Sequence, residues 1–114
     1  VVNQTVLLAG VNDNAATLRA LFRALVDCRV KPYYLFQGDL APGTARFRVN
    51  LERARALASE LRATLSGIAM PVLAVDIPAG GGKVPLEGSA FDGEDDDGYR
   101  LRGSDGLIYH YPRE

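Results

Sequence analysis

Asp76-Ile77-Pro78-Ala79-Gly80-Gly81-Gly82-Lys83-Val84-Pro85, residues 76–85, is the stretch on which the fold turns. It follows an apolar run, VLAV at residues 72–75, that reads as a buried strand. The strand ends in an aspartate, and a proline, three glycines and a lysine come after it. Glycine lets a backbone come close to another group, so the run marks a close approach or a tight turn.

Working outward from this stretch, the same pattern occurs twice before it. Residues 4–9, QTVLLA, are short and apolar and predict a first strand. Gly10 to Asn14 form a turn rich in helix-capping residues, and Leu18, Leu21, Phe22, Leu25 and Val26 recur at helical spacing through residues 15–27. Residues 33–37, YYLFQ, predict a second strand by β propensity, followed by a long loop over residues 38–49. Asn50 caps a second helix with Leu51, Ala54, Leu57, Ala58, Leu61 and Leu65 on one face, and Ser66-Gly67 stops it. The order β-α-β-α-β predicts parallel strands with right-handed crossovers. Ligands of such sheets sit beyond the carboxyl ends of the strands. There the second strand delivers Asp39 and the third delivers Asp76 and the glycine run to Lys83, so two carboxylates and a lysine are expected on one face.

The motif itself narrows the chemistry. A phosphate loop of the Walker type needs G-x-x-x-x-G-K-[ST], but Ile77 stands at the first glycine position and Val84 follows the lysine. The glycines could still cradle a single phosphate, and a lysine beside such a nest can bind an aldehyde cofactor covalently. The bland alternative is a surface turn with a solvated lysine. Asp39 and Asp76, each following a buried strand, suit an ammonium group better than a metal, which recruits more ligands; the alternative is capping or a structural ion pair. Asn12, Asp13 and Asn14 read as capping residues and Cys28 as a small core residue. Arg46 and Arg48 read as surface residues, and His110 as facing solvent or a partner. Residues 99–102 and 107–111 flank Gly103-Ser104-Asp105-Gly106 and predict a β-hairpin, while the acidic run around Asp95 reads as a solvated hairpin or flexible loop.

Composition sets the frame. The 114 residues amount to one domain at most, 47% hydrophobic and 24% charged, with net charge −1. Nothing in that balance calls for nucleic acid or an anionic membrane as partner. The single cysteine excludes an intrachain disulfide and a cysteine-based metal site. With no apolar run near the length of a membrane span, the expected location is cytoplasmic. The chain opens at Val1, almost inside a strand and without a methionine, which reads as a piece of a longer protein.

Taken in order, "TVLLAGVNDN", "KPYYLFQGDL", "PGTARFRV", "LSGIAMPVLAVDIPAGGGKVPL" and "GLIYHYP" resemble the carboxyl-terminal part of the lysine 2,3-aminomutase family, radical S-adenosylmethionine enzymes that use pyridoxal phosphate (PLP). The resemblance implies an α/β fold in which residues 1–85 are the final β/α units of a partial radical-SAM-type barrel with parallel strands, and residues 86–114 a β-hairpin tail. It implies a radical 1,2-amino shift from L-lysine to β-lysine, with Lys83 as the covalent anchor of PLP and Asp39 and Asp76 holding the side-chain ammonium of a cationic amino acid. The full-length family also uses S-adenosylmethionine and an iron–sulfur cluster held by C-x3-C-x2-C, which a chain with one cysteine does not contain. Against the family pattern, this chain has Ala9 for arginine, Phe36 for tyrosine, Gly38 for cysteine and Ala79 for glycine. Asn14 stands where some members have a zinc-binding cysteine, so no zinc is expected. Two other functions remain open at this point: a relative that forms β-lysine on elongation factor P, and a truncated non-catalytic module that binds PLP or an amine or only assembles. A barrel piece leaves an open sheet edge, which implies a homo-oligomer or pairing with the missing amino-terminal portion.

Overall fold

Two asparagines set the helices. In the computed structural model, which describes residues 1–38, 45–77, 80–86 and 91–112, helix α1 (Ala15–Asp27) begins after Asn14, whose side chain accepts from the Thr17 N–H at 2.8 Å. Helix α2 (Leu51–Thr64) begins after Asn50, whose side chain accepts from the Arg53 N–H at 2.8 Å. Each cap satisfies an amide that the helix itself leaves unbonded.

The helices connect parallel strands. Strand β1 (Val2–Val6) pairs with β2 (Lys31–Phe36), and β2 pairs with β3 (Val72–Ile77), both in parallel. A 3-10 turn, Ala45–Phe47, precedes α2. The first strand lies earlier than residues 4–9. The Asn12 side chain accepts from the Leu8 N–H and donates to the Val6 carbonyl, so the chain leaves the ladder there for the turn. The third strand runs two residues past Val75, because a fourth strand supports it.

That fourth strand, β4 (Gly82–Pro85), corrects the expectation of an all-parallel sheet. The glycine run turns the chain back on itself, and β4 pairs antiparallel with β3. The sheet is therefore mixed, in the order β1-β2-β3-β4. The carboxyl-terminal region is likewise more than a hairpin. Strands β5 (Phe91–Asp95), β6 (Gly98–Arg102) and β7 (Ile108–Pro112) form an antiparallel sheet of three. The acidic run becomes its first strand and turn because Asp92 and Asp95 meet Arg100, at 3.7 and 3.6 Å, and Asp92 also meets Arg102, at 3.3 Å.

One hydrophobic cluster joins these parts. Leu7, just after β1, and Leu35, Leu73, Val75, Ile77 and Val84 of the first sheet pack with Leu18 and Phe22 of α1 and Leu57 and Leu61 of α2. Tyr99, Leu101 and Tyr111 of the tail sheet belong to the same cluster. Cys28 is not in this core. It caps the C-terminus of α1 and is exposed, since the helix ends there and Arg29 turns the chain with a φ of 62°.

Candidate functional site

Alternation along the strands gives the first sheet two unlike faces. One carries the core residues just named. The other carries Gln4 and Val6 of β1, Tyr34 and Phe36 of β2, Val72, Ala74 and Asp76 of β3, and Lys83 and Pro85 of β4, as the register requires. No helix packs on this second face among the described residues. At its edges Val6 and Val72 keep 45% and 41% of their surface exposed, against 0% for Leu35 and 1% for Leu73 on the covered side, while Phe36 and Ala74 in the middle of the second face are buried by their neighbours.

Lys83 and Asp76 are Cα partners across the β3–β4 ladder. Paired residues of an antiparallel ladder project from the same side, with Cβ atoms about 5 Å apart. Both side chains are exposed. The Lys83 ammonium lies over the ring of Phe36, 5.7 Å from its centroid, and Phe36 in turn contacts Tyr34 at a centroid distance of 5.1 Å. A cation over an aromatic face is held by the ring quadrupole. The sequence therefore leads to a compact arrangement on the open face: a primary amine, a carboxylate beside it, the Phe36 ring beneath the amine, and Tyr34 against Phe36. The other lysine is differently placed. Lys31 Nζ donates to the carbonyls of Pro32, at 2.7 Å, and Met70, at 3.2 Å.

Asp39, the third expected member, lies outside the described residues. The strand leading to it, β2, is the parallel neighbour of β3. Before Asp39, Gln37 is buried and donates from its side-chain amide to the Val49 carbonyl, tying the end of β2 to the residue that precedes the α2 cap.

The other residues singled out in the sequence take local roles. Asp13 accepts from the Gly10 N–H at 3.0 Å, and Asn12 and Asn14 make the turn and cap bonds described above. Arg46 stacks over Phe47 at 4.7 Å. His110 is exposed on β7, opposite Arg100. Among the described residues, no group of three His, Cys, Asp or Glu side chains is placed to hold a metal, and no helix is long and apolar enough to cross a membrane.

Sequence reasoning missed the part played by Phe36 and Ser104. Counting by two from Tyr34 places Phe36 on the same face, but only the β4 register brings Lys83 to it. The glycines also act differently from the expectation. A Cβ on Gly81 would collide with the Ile77 side chain, and one on Gly82 with the Ser104 hydroxyl. In this chain the close approach is thus made to its own strand and tail sheet.

Comparison with known proteins supplies the relationship. L-lysine 2,3-aminomutases of Methanococcus maripaludis and Bacillus subtilis are 41% and 39% identical to the chain, each over 96% of its length. The chain is a homologue of the carboxyl-terminal part of the L-lysine 2,3-aminomutases. A Treponema pallidum protein, named provisionally for the same activity, is 50% identical over 96% of the chain. A glutamate 2,3-aminomutase of Clostridioides difficile is 42% identical over 74% of it. The chain spans 32% of the length of the Treponema relative, 25% of the Methanococcus enzyme and 23% of the Bacillus enzyme. No family model matches it.

Proposed function

We propose that this chain supplies the cofactor-anchoring and amine-reading face of a lysine 2,3-aminomutase-like protein, which shifts the amino group of L-lysine to give β-lysine. The observation that carries this reading is the pairing of Lys83 with Asp76 on the open face. In this account β1, β2 and β3 are the closing arc of a β/α barrel, with residues 86–114 appended as a β tail. Their consecutive order, with core packing to both helices on one side, suits barrel winding better than a doubly wound sheet. The open face then becomes the inner surface, in a cytoplasmic enzyme whose remaining segments bring the iron–sulfur cluster and S-adenosylmethionine.

The residues present fit PLP in two respects. Lys83 offers an exposed primary amine, and the Phe36 ring gives an aromatic face beneath it, with Tyr34 tilted against that ring. When bound, PLP supplies the aldehyde that captures an amine and the conjugated ring that delocalises an unpaired electron. Lys83 would hold that group through its side-chain amine, at the place where the substrate α-amine would also bind. Asp76, with Asp39, holds the distant ammonium by charge-assisted hydrogen bonds. The same carboxylate repels an anionic side chain, which favours lysine over glutamate although a glutamate enzyme is among the relatives.

Addition of PLP to the chain tests this reading. The expected result is an imine absorbance band that Lys83→Ala removes and Lys31→Arg leaves intact. A band that survives Lys83→Ala overturns the assignment. Weaker competition by glutamate than by lysine, reversed or abolished in Asp76→Asn, checks the choice of substrate.

A further inference from the structure

The tail sheet makes one contact that the proposed function leaves unused. Its turn between β6 and β7 grips the glycine run just before Lys83. Ser104 donates twice to the Gly81 carbonyl, from its backbone N–H at 2.8 Å and from its hydroxyl at 3.1 Å. The Ser104 hydroxyl fills the space that a Cβ on Gly82 would need. A Cβ on Gly103 would lie 2.9 Å from the Gly81 carbonyl oxygen and 2.8 Å from the Tyr109 ring, so the two chain segments meet through glycine on both sides.

The gripping turn is itself braced. Gly103 N–H donates to the Leu107 carbonyl at 2.8 Å and Gly106 N–H to the Gly103 carbonyl at 3.0 Å. Asp105 accepts from the Leu107 N–H through one carboxylate oxygen and from the Tyr109 hydroxyl through the other. Arg102 donates to the Gly106 carbonyl at 3.2 Å. On the opposite side of the contact, Gly80 and Gly82 hold φ values of 92° and 77°, the left-handed region that other residues enter at a cost.

We propose that the turn at residues 103–106 is the positioning device for Lys83, and that Ser104 is its working contact. By holding the carbonyl of Gly81, the residue that leads into β4 and lies two before the lysine, it sets where the amine stands over Phe36. Ser104 touches neither reacting group and acts through the strand. The purpose assigned to the device rests on the proposed function of Lys83; the mechanical part does not.

The experiment measures two quantities on the intact chain, in Ser104→Ala and in Gly82→Ala. One is amide hydrogen exchange at residues 82–84, with α1 as an internal control for folding. The other is the PLP concentration that half-saturates the imine band. Losing the hydroxyl donor is expected to speed exchange at 82–84 about fivefold with α1 unchanged, and to weaken PLP binding by a similar factor. Gly82→Ala, which removes the room for Ser104, is expected to do both more strongly. Faster exchange together with unaltered PLP binding overturns the positioning role. Unaltered exchange in both variants overturns the clamp itself. If wild-type chain forms no band at Lys83, the proposed function fails, and exchange alone then decides the clamp: acceleration supports it and no change overturns it.

Discussion

The two faces of the four-stranded sheet are built from the same strands, yet they have become opposite kinds of surface. On one side Leu35, Leu73 and Val75 are closed off by α1 and α2. On the other, one residue along in each strand, stand Tyr34, Phe36, Val72, Asp76 and Lys83. The first face holds the core of the fold, and the second leaves an amine and a carboxylate exposed to solvent. A slip of one residue in the register of β4 would exchange the two, moving Lys83 into the core side and Val84 out. Which side chains share the open face depends on register, and the β4 register is held where Gly81 and Gly82 meet the tail.

Substitutions on the two faces can break this contrast. The largest effect is expected for Lys83→Ala, which should remove PLP capture entirely while leaving the urea midpoint nearly unchanged. A large loss of stability in that variant would mean the open face carries core weight. Leu73→Ala and Leu35→Ala, on the covered side, should cost about 2–5 kcal/mol in denaturant unfolding, because no exposed group nearby can refill the space. Asn50→Ala should cost about 1 kcal/mol through the lost cap of α2. Val72→Thr, on the open side, should stay within about 0.5 kcal/mol of the parent, and a cost equal to that at Leu73 would show the open face to be covered in solution.

A smaller effect concerns pH and the braced turn. The Tyr109 hydroxyl, and then the Leu107 N–H, hold Asp105 below the usual carboxylate value. The Asp105 carboxylate pushes Tyr109 above the usual phenol value. The lowered acid contributes stability that is present above about pH 4 and is lost as pH falls through its folded value. The raised phenol contributes stability present below about pH 10 and lost as pH rises through its own folded value. Exchange at residues 82–84 should therefore be slowest, after correction for intrinsic rates, between these limits. Tyr109→Phe should remove the alkaline arm and shrink the acid arm, which the Leu107 N–H still supports.

Much of this architecture was legible in the chain. Both helices follow from apolar spacing and from Asn14 and Asn50, since caps and period are local signals. The first strand drifted because Asn12 takes the bonds of Leu8 and Val6, a contact between residues distant enough to escape a propensity reading. The fourth strand was hidden for a stronger reason. Gly82, Lys83, Val84 and Pro85 have little strand character, and they pair because Ile77 and Ser104 accept the glycine turn. The fifth strand was hidden by its own charge, which Arg100 and Arg102 help to offset across the ladder. At the site, the rule that ligands gather at strand ends brought Lys83 and Asp76 together in outline. Their direct pairing, and the ring of Phe36 beneath the amine, depend on a hairpin that composition alone presents as a loop.

Lys83 and Asp76 stand side by side on the open face, with Phe36 beneath the amine. A crystal structure of the chain after PLP has been fixed to its lysine by borohydride reduction tests it most directly. The pyridine ring is expected on Lys83, resting against Phe36, with the Asp76 carboxylate on the same side of the sheet. Attachment at Lys31, or Asp76 turned to the helix-covered side, would contradict it.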